Sequence, residues 1–99
     1  MIVIFWEFRV IPGKEAEFER HYGPEGTWVQ LFRQSPAFVG TELLRDPERP
    51  GRYLTIDRWK DVASLDAFRE KFATEYKRID AQMESLTQNE TKLGVFEAM

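Results

Sequence analysis

Apolar positions along the chain fall into dense short runs near the start and middle and one long stripe at helical spacing. The first run, Met1 to Val10, is rich in Ile, Val, Phe and Trp and reads as a strand. Ile2, Ile4, Trp6 and Phe8 fall on one face, and Met1, Val3 and Phe5 on the other, so both faces expect cover. Pro12-Gly13 breaks the run. Lys14 to Tyr22 then reads as a short helix, with Phe18 and Tyr22 one turn apart and a charged outer face. Gly23, Pro24 and Gly26 end it. Thr27 with Gln30 three residues on predicts a capping box for a second short helix carrying Trp28, Leu31 and Phe32, which Ser35-Pro36 stops.

Phe38 to Arg45 is the second strand, again apolar on both faces. The polar turn Asp46 to Arg52 joins it to a third strand, Tyr53 to Lys60, as a hairpin. Ser64 is placed to cap a long helix, with Asp66 in its first turn. Leu65, Phe68, Phe72, Tyr76, Ile79, Met83 and Leu86 recur at spacings of three and four, which predicts one continuous amphipathic helix. Lys92 to Phe96 closes the chain as a short strand. Strand, helices, strand, strand, helix, strand is the order of an α+β ferredoxin-like sandwich with an antiparallel sheet, one domain over residues 1–99.

The chain's own helices cover one face of such a sheet. The other stays apolar and uncovered, which predicts a homodimer paired sheet to sheet; a higher oligomer or a partner protein is the alternative. Composition sharpens this, because 99 residues bury a modest core, yet 42% are hydrophobic and 14% aromatic. That surplus points to a partner surface or a cavity. The absence of cysteine excludes disulfides, thiolate metal sites and thiol nucleophiles. A net charge of −3 argues against nucleic acid as a partner. The apolar start is interrupted by Glu7 and Arg9 and is too short for a membrane span or a signal peptide, so a soluble, cytoplasmic protein is expected.

The opening strand with its Pro-Gly helix start (IVIFWEFRVIPGKEAEFE), the PAFVGTELL strand, and the IDRW strand end followed by an AFREKF helix resemble the antibiotic biosynthesis monooxygenase (ABM) domain family of dimeric α+β barrel proteins. The resemblance extends over essentially the whole chain. It implies a homodimer whose subunits each hold a pocket between sheet and helices. It also implies an activity among those of the family, which include cofactor-independent oxygenases of anthrones and quinols and haem-degrading enzymes. In the family the tryptophan at this strand end lies beside the substrate, and Trp59 matches it.

The haem-degrading members use an Asn on the first strand and a His on the long helix; here neither element carries one. The only histidine, His21, lies between Arg20 and Tyr22 and reads as a solvated surface residue. Asn89, in the loop before the last strand, is no counterpart of the asparagine that assists anthrone oxidation. Glycines are scattered, so no phosphate loop forms. Glu15, Glu17 and Glu19 read as a solvated helix face, and no metal site or cofactor is expected.

A cofactor-free oxygenase needs a dry pocket, an electron-rich substrate and one group that takes its proton. Trp6, Trp28, Phe32, Phe68, Phe72 and Tyr76 are the candidate pocket walls, and Trp59 and Asp57 the candidate catalytic residues. Glu7, Arg58 and Tyr76 are further candidates for the polar group. Trp59 either lines the pocket or simply packs on Phe68 as core, and Asp57 is hard to explain as core because a buried carboxylate requires a partner. The expected function is a monooxygenase acting on an aromatic phenol- or hydroquinone-like molecule. The alternatives are a non-catalytic small-molecule-binding module and a structural dimer whose pocket its own aromatics fill.

Overall fold

A computed structural model describes residues 1–99. Its elements are β1 (Ile2–Val10), α1 (Glu15–Tyr22), α2 (Thr27–Phe32), β2 (Phe38–Arg45), β3 (Arg52–Trp59), α3 (Val62–Lys71), α4 (Ala73–Met83) and β4 (Thr87–Glu97). The four strands form one antiparallel sheet in the order β2-β3-β1-β4, with the helices on one face, the ferredoxin-like α+β arrangement. The apolar sets Ile2, Ile4 and Phe8 of β1 and Tyr53 and Trp59 of β3 point to the helices. They pack on Phe18, Tyr22, Trp28, Leu31, Leu65, Phe68, Ile79 and Met83. No helix is long and apolar enough to cross a membrane.

The hairpin between β2 and β3 forms as its turn residues dictate. Gly51 takes φ +87°, a left-handed conformation that costs glycine little, and a side chain there would meet the Val10 carbonyl at 3.1 Å. That approach lets the Val10 N–H donate to the Gly51 carbonyl and ties the hairpin to β1.

Five local expectations are corrected. The long helix is two helices, broken at Phe72, whose φ of −108° and ψ of +22° leave the helical basin. The Phe72 N–H still donates to Phe68 and its carbonyl accepts from Tyr76, so the apolar stripe runs through the break. No Pro or Gly marks it, which is why periodicity alone misses it. The cap of α3 is Asp61, whose Oδ1 accepts the Ser64 N–H at 2.7 Å; Ser64 itself lies inside the first turn. The capping box at α2 does not form, because the Thr27 hydroxyl is engaged 2.7 Å from His21 Nδ1 and Gly26 takes the cap position. His21 is therefore half-buried and hydrogen-bonded rather than solvated. Last, β4 begins at Thr87, five residues before its apolar part. Those polar residues sit on an edge strand and are held by main-chain pairing with β1, a contribution that side-chain patterning does not record.

The face of the sheet opposite the helices has no cover within the chain. Phe5 packs edge-to-face on Phe96 at 5.5 Å, with Phe96 and Leu93 exposed beside it, and Leu44 is exposed on the same face on β2.

Candidate active site

Between the sheet and the helices lies a cavity of about 430 Å³, partly open to solvent. That volume is in the range of pockets that hold drug-sized ligands. Its aromatic walls come from every layer: Trp6 and Phe8 from β1, Tyr22 from α1, Trp28 and Phe32 from α2, and Tyr76 from α4. Its sheet floor carries Thr55 and Asp57 of β3 and Thr41 of β2. Asp80 and Glu90, both exposed, stand at its rim. The aromatic walls brace one another, with Trp28 at 4.8 Å from Tyr76, 6.0 Å from Phe32 and 6.1 Å from Tyr22 between ring centroids.

Asp57 is the chemically distinctive group. Register places it directly opposite Thr41, and the Thr41 hydroxyl donates to its Oδ1 at 2.6 Å. No Lys, Arg or His pairs with it: the six ion pairs of the molecule lie elsewhere. Burial pushes its carboxyl up to about 6, and the Thr41 hydrogen bond pulls part of the way back. A carboxylate so placed is ionised at neutral pH but close enough to its protonated form to exchange a proton with a ligand. Burial likewise raises the Tyr76 phenol, with the charge of Asp80 adding to it, and raises Tyr22 well above the tyrosine range, so both are hydroxyl donors at neutral pH. The Trp28 indole N–H is buried without an aligned acceptor.

Of the residues singled out from sequence, Trp6, Trp28, Phe32, Tyr76 and Asp57 meet around this cavity. Trp59 and Phe68 do not line it. They lie behind Phe32, beside a crevice of about 30 Å³ that also touches Asp57, Arg69 and Tyr76. Trp59 is 1% exposed, with Phe38 at 5.2 Å, Phe32 at 5.6 Å and Phe68 at 5.0 Å. Phe72 packs on Phe68 at 5.0 Å and lines neither space. Glu7 and Arg58 point to the opposite face of the sheet, where Glu7 pairs with Arg52 and Arg58 with Glu42, so neither supplies the polar group. Thr41, Thr55, Asp80 and Glu90 were not singled out from sequence. Thr41 follows from strand register, Asp80 from its position one turn after Tyr76, and Glu90 only from its pairing with Phe8 in β4. No group of three or more metal-ligating side chains is assembled anywhere in the molecule.

The model of the antibiotic biosynthesis monooxygenase family matches residues 1–81. The chain belongs to this family. Among proteins with curated descriptions, none matches significantly. Several solved structures share the fold. SnoaB, a cofactor-independent oxygenase from Streptomyces nogalater, superposes with a TM-score of 0.80 at 21% identity, over 99% of this chain and 92% of that one. PA3566 from Pseudomonas aeruginosa gives 0.71 at 18% identity, over 99% and 93%. A NIPSNAP domain protein from Burkholderia xenovorans gives 0.73 at 16% identity, over 100% and 95%. At these identities the similarity is one of fold.

Proposed function

We propose that this member of the ABM family is a cofactor-independent monooxygenase that draws a phenol- or hydroquinone-like aromatic into the 430 Å³ cavity, with Asp57 as the base. The observation that carries this reading is Asp57 itself: a carboxylate without a counter-cation, fixed by Thr41, on the floor of a chamber walled by aromatic rings. A flat electron-rich ring fits between Trp6, Trp28, Phe32 and Tyr76 by offset or edge-to-face stacking.

The chemistry balances without a bound group. Asp57 takes a proton from the ring methylene of the substrate's keto tautomer, the form in which anthrone exists, leaving a stabilised carbanion whose oxygen form is a phenolate. The carbanion adds dioxygen to give a peroxide anion, which recovers the proton from Asp57 as a hydroperoxide. Loss of water leaves a carbonyl, so one oxygen atom enters the product and the other leaves as water. The low-dielectric walls exclude competing proton sources, and the neutral phenols of Tyr22 and Tyr76 are donors for the developing oxyanion. Trp59 contributes from behind, by fixing the ring of Phe32 that faces the ligand.

The assembly that suits this site is a homodimer in which the uncovered sheet faces pack together. The exposed Phe96, Leu93 and Leu44 on that face support it.

The deciding experiment is oxygen uptake with anthrone and 1,4-dihydroxynaphthalene as probes, alongside tryptophan quenching. Turnover with one molecule of oxygen consumed per product, reduced about 100-fold or more in Asp57→Asn, is expected. Quenching without uptake for either probe would make the protein a binding module.

A further inference from the structure

The charged groups lining the cavity are all of one sign. Asp57 on the floor and Asp80 and Glu90 at the rim bring three carboxylates to one chamber, and no Lys, Arg or His lines it. Two cations come close without lining it: Arg69, exposed at a small crevice that shares Trp6, Phe32, Asp57 and Tyr76 with the cavity, and Lys92, exposed and opposite Trp6 on β4. Neither forms an ion pair with Asp57, Asp80 or Glu90. Some acids elsewhere are paired: Glu7, Asp46, Glu25 and Glu42 each have an arginine. None of the three carboxylates at the cavity has such a partner. The walls add to this field, since the faces of Trp, Tyr and Phe rings attract cations.

We infer that the cavity selects aromatic ligands that carry a protonated amine, and discriminates against carboxylate-bearing ones. The aromatic part lies between Trp6, Trp28 and Phe32, and the ammonium stands toward Asp80 and Glu90, where the mouth carries its negative charge. This deepens the proposed oxygenase reading by naming the substrate class, and rests on the same chamber. An anionic ligand entering it meets like charge in a space where the protein walls screen less than bulk water does. A cationic ligand leaves Asp57 free to accept a ring proton, because its charge is met at the rim.

The test is a matched series of 1,4-dihydroxynaphthalenes bearing an aminomethyl, a hydroxymethyl or a carboxylate group. Binding is followed anaerobically by quenching of tryptophan fluorescence. The aminomethyl compound is expected to bind roughly 10-fold or more tightly than the carboxylate, with the neutral compound between them, and the spread narrows at high salt. In the double variant Asp80→Asn, Glu90→Gln the ratio falls several-fold, with the neutral compound in the same variant as the reference and circular dichroism showing the fold retained. Equal or tighter binding of the carboxylate, a ratio indifferent to the double variant, or no binding of any member would overturn the inference. The oxygenase reading fails separately: a charge-ordered binding series with no oxygen uptake sinks that reading and leaves this one standing.

Discussion

Thr41 and Asp57 face each other across the β2–β3 hairpin, and the Thr41 hydroxyl donates to the Asp57 carboxylate at 2.6 Å. This bond is the one side-chain contact that favours the charged form of Asp57 against its burial. Replacing Thr41 by Val keeps the shape and removes the donor. The Asp57 carboxyl then titrates above its present value of about 6. The expected result is an acidic limb of the kcat pH profile displaced toward alkaline pH, with activity recovered as pH rises. A Thr41→Ser variant, which retains the hydroxyl, should keep the wild-type limb. Carboxyl titration by NMR in the free protein checks the same shift without turnover.

The same group governs a stability dependence of unusual sign. Asp57 is raised from 3.8 to about 6 in the folded protein, so across that interval the folded state holds more protons than the unfolded one. Its contribution makes stability fall as pH rises through about 4 to 6, and the loss is complete above the folded value. At pH 7 Asp57→Asn should therefore raise stability, by up to about 3 kcal/mol, less whatever the partial exposure of the residue relieves. At pH 4 the gain should shrink toward zero. Urea unfolding at both pH values measures it, and a gain that is constant with pH would show that Asp57 is not the source.

The fold was legible because the patterning that defines it is local. Strands β1, β2 and β3 announce themselves by apolar runs between Pro and Gly, and the stripe from Leu65 to Leu86 sets one face of the helices whether or not they are continuous. The break at Phe72 is not local in this sense: it is a change of φ and ψ at one residue in a segment without Pro or Gly. The site divides in the same way. Trp6, Trp28, Phe32, Tyr76 and Asp57 are visible as aromatics on inward positions and an acid among them. Which aromatics enclose space and which fill it depends on the packing of α2 over β3, and this puts Trp59 behind Phe32 rather than on the cavity wall. Glu90 stays hidden because its inward position requires the bulge that skips Leu93 between the partners of Phe5 and Trp6.

The uncovered sheet face predicts a concentration-dependent assembly. Light scattering at micromolar concentration should return twice the 11.7 kDa chain mass. Phe96 is 56% exposed within one chain, so Phe96→Asp leaves the fold intact and places a charge on the apolar face. The variant should run as the single chain with an unchanged circular dichroism spectrum. A wild type that stays a single chain at every concentration would refute the sheet-to-sheet dimer.

Trp59 separates packing from chemistry. It is 1% exposed and touches Phe32, Phe38 and Phe68, so Trp59→Ala removes the centre of an aromatic cluster and should cost roughly 3–5 kcal/mol. Trp59→Phe leaves a smaller void and should cost less, about 1–3 kcal/mol. The effect on ligand binding distinguishes an indirect from a direct role. Phe32 lies between Trp59 and the cavity, so Trp59→Phe should loosen Phe32 and weaken aromatic quenching only a few-fold, while Phe32→Ala weakens it more at smaller cost in stability. Unfolding by denaturant beside quenching by 1,4-dihydroxynaphthalene, for wild type and the three variants, reads both quantities. Trp6 and Trp28 also emit, so quenching is taken as the difference between proteins. If Trp59→Phe abolished binding at almost no cost in stability, the indole would be touching the ligand directly and the cavity wall would have to include it.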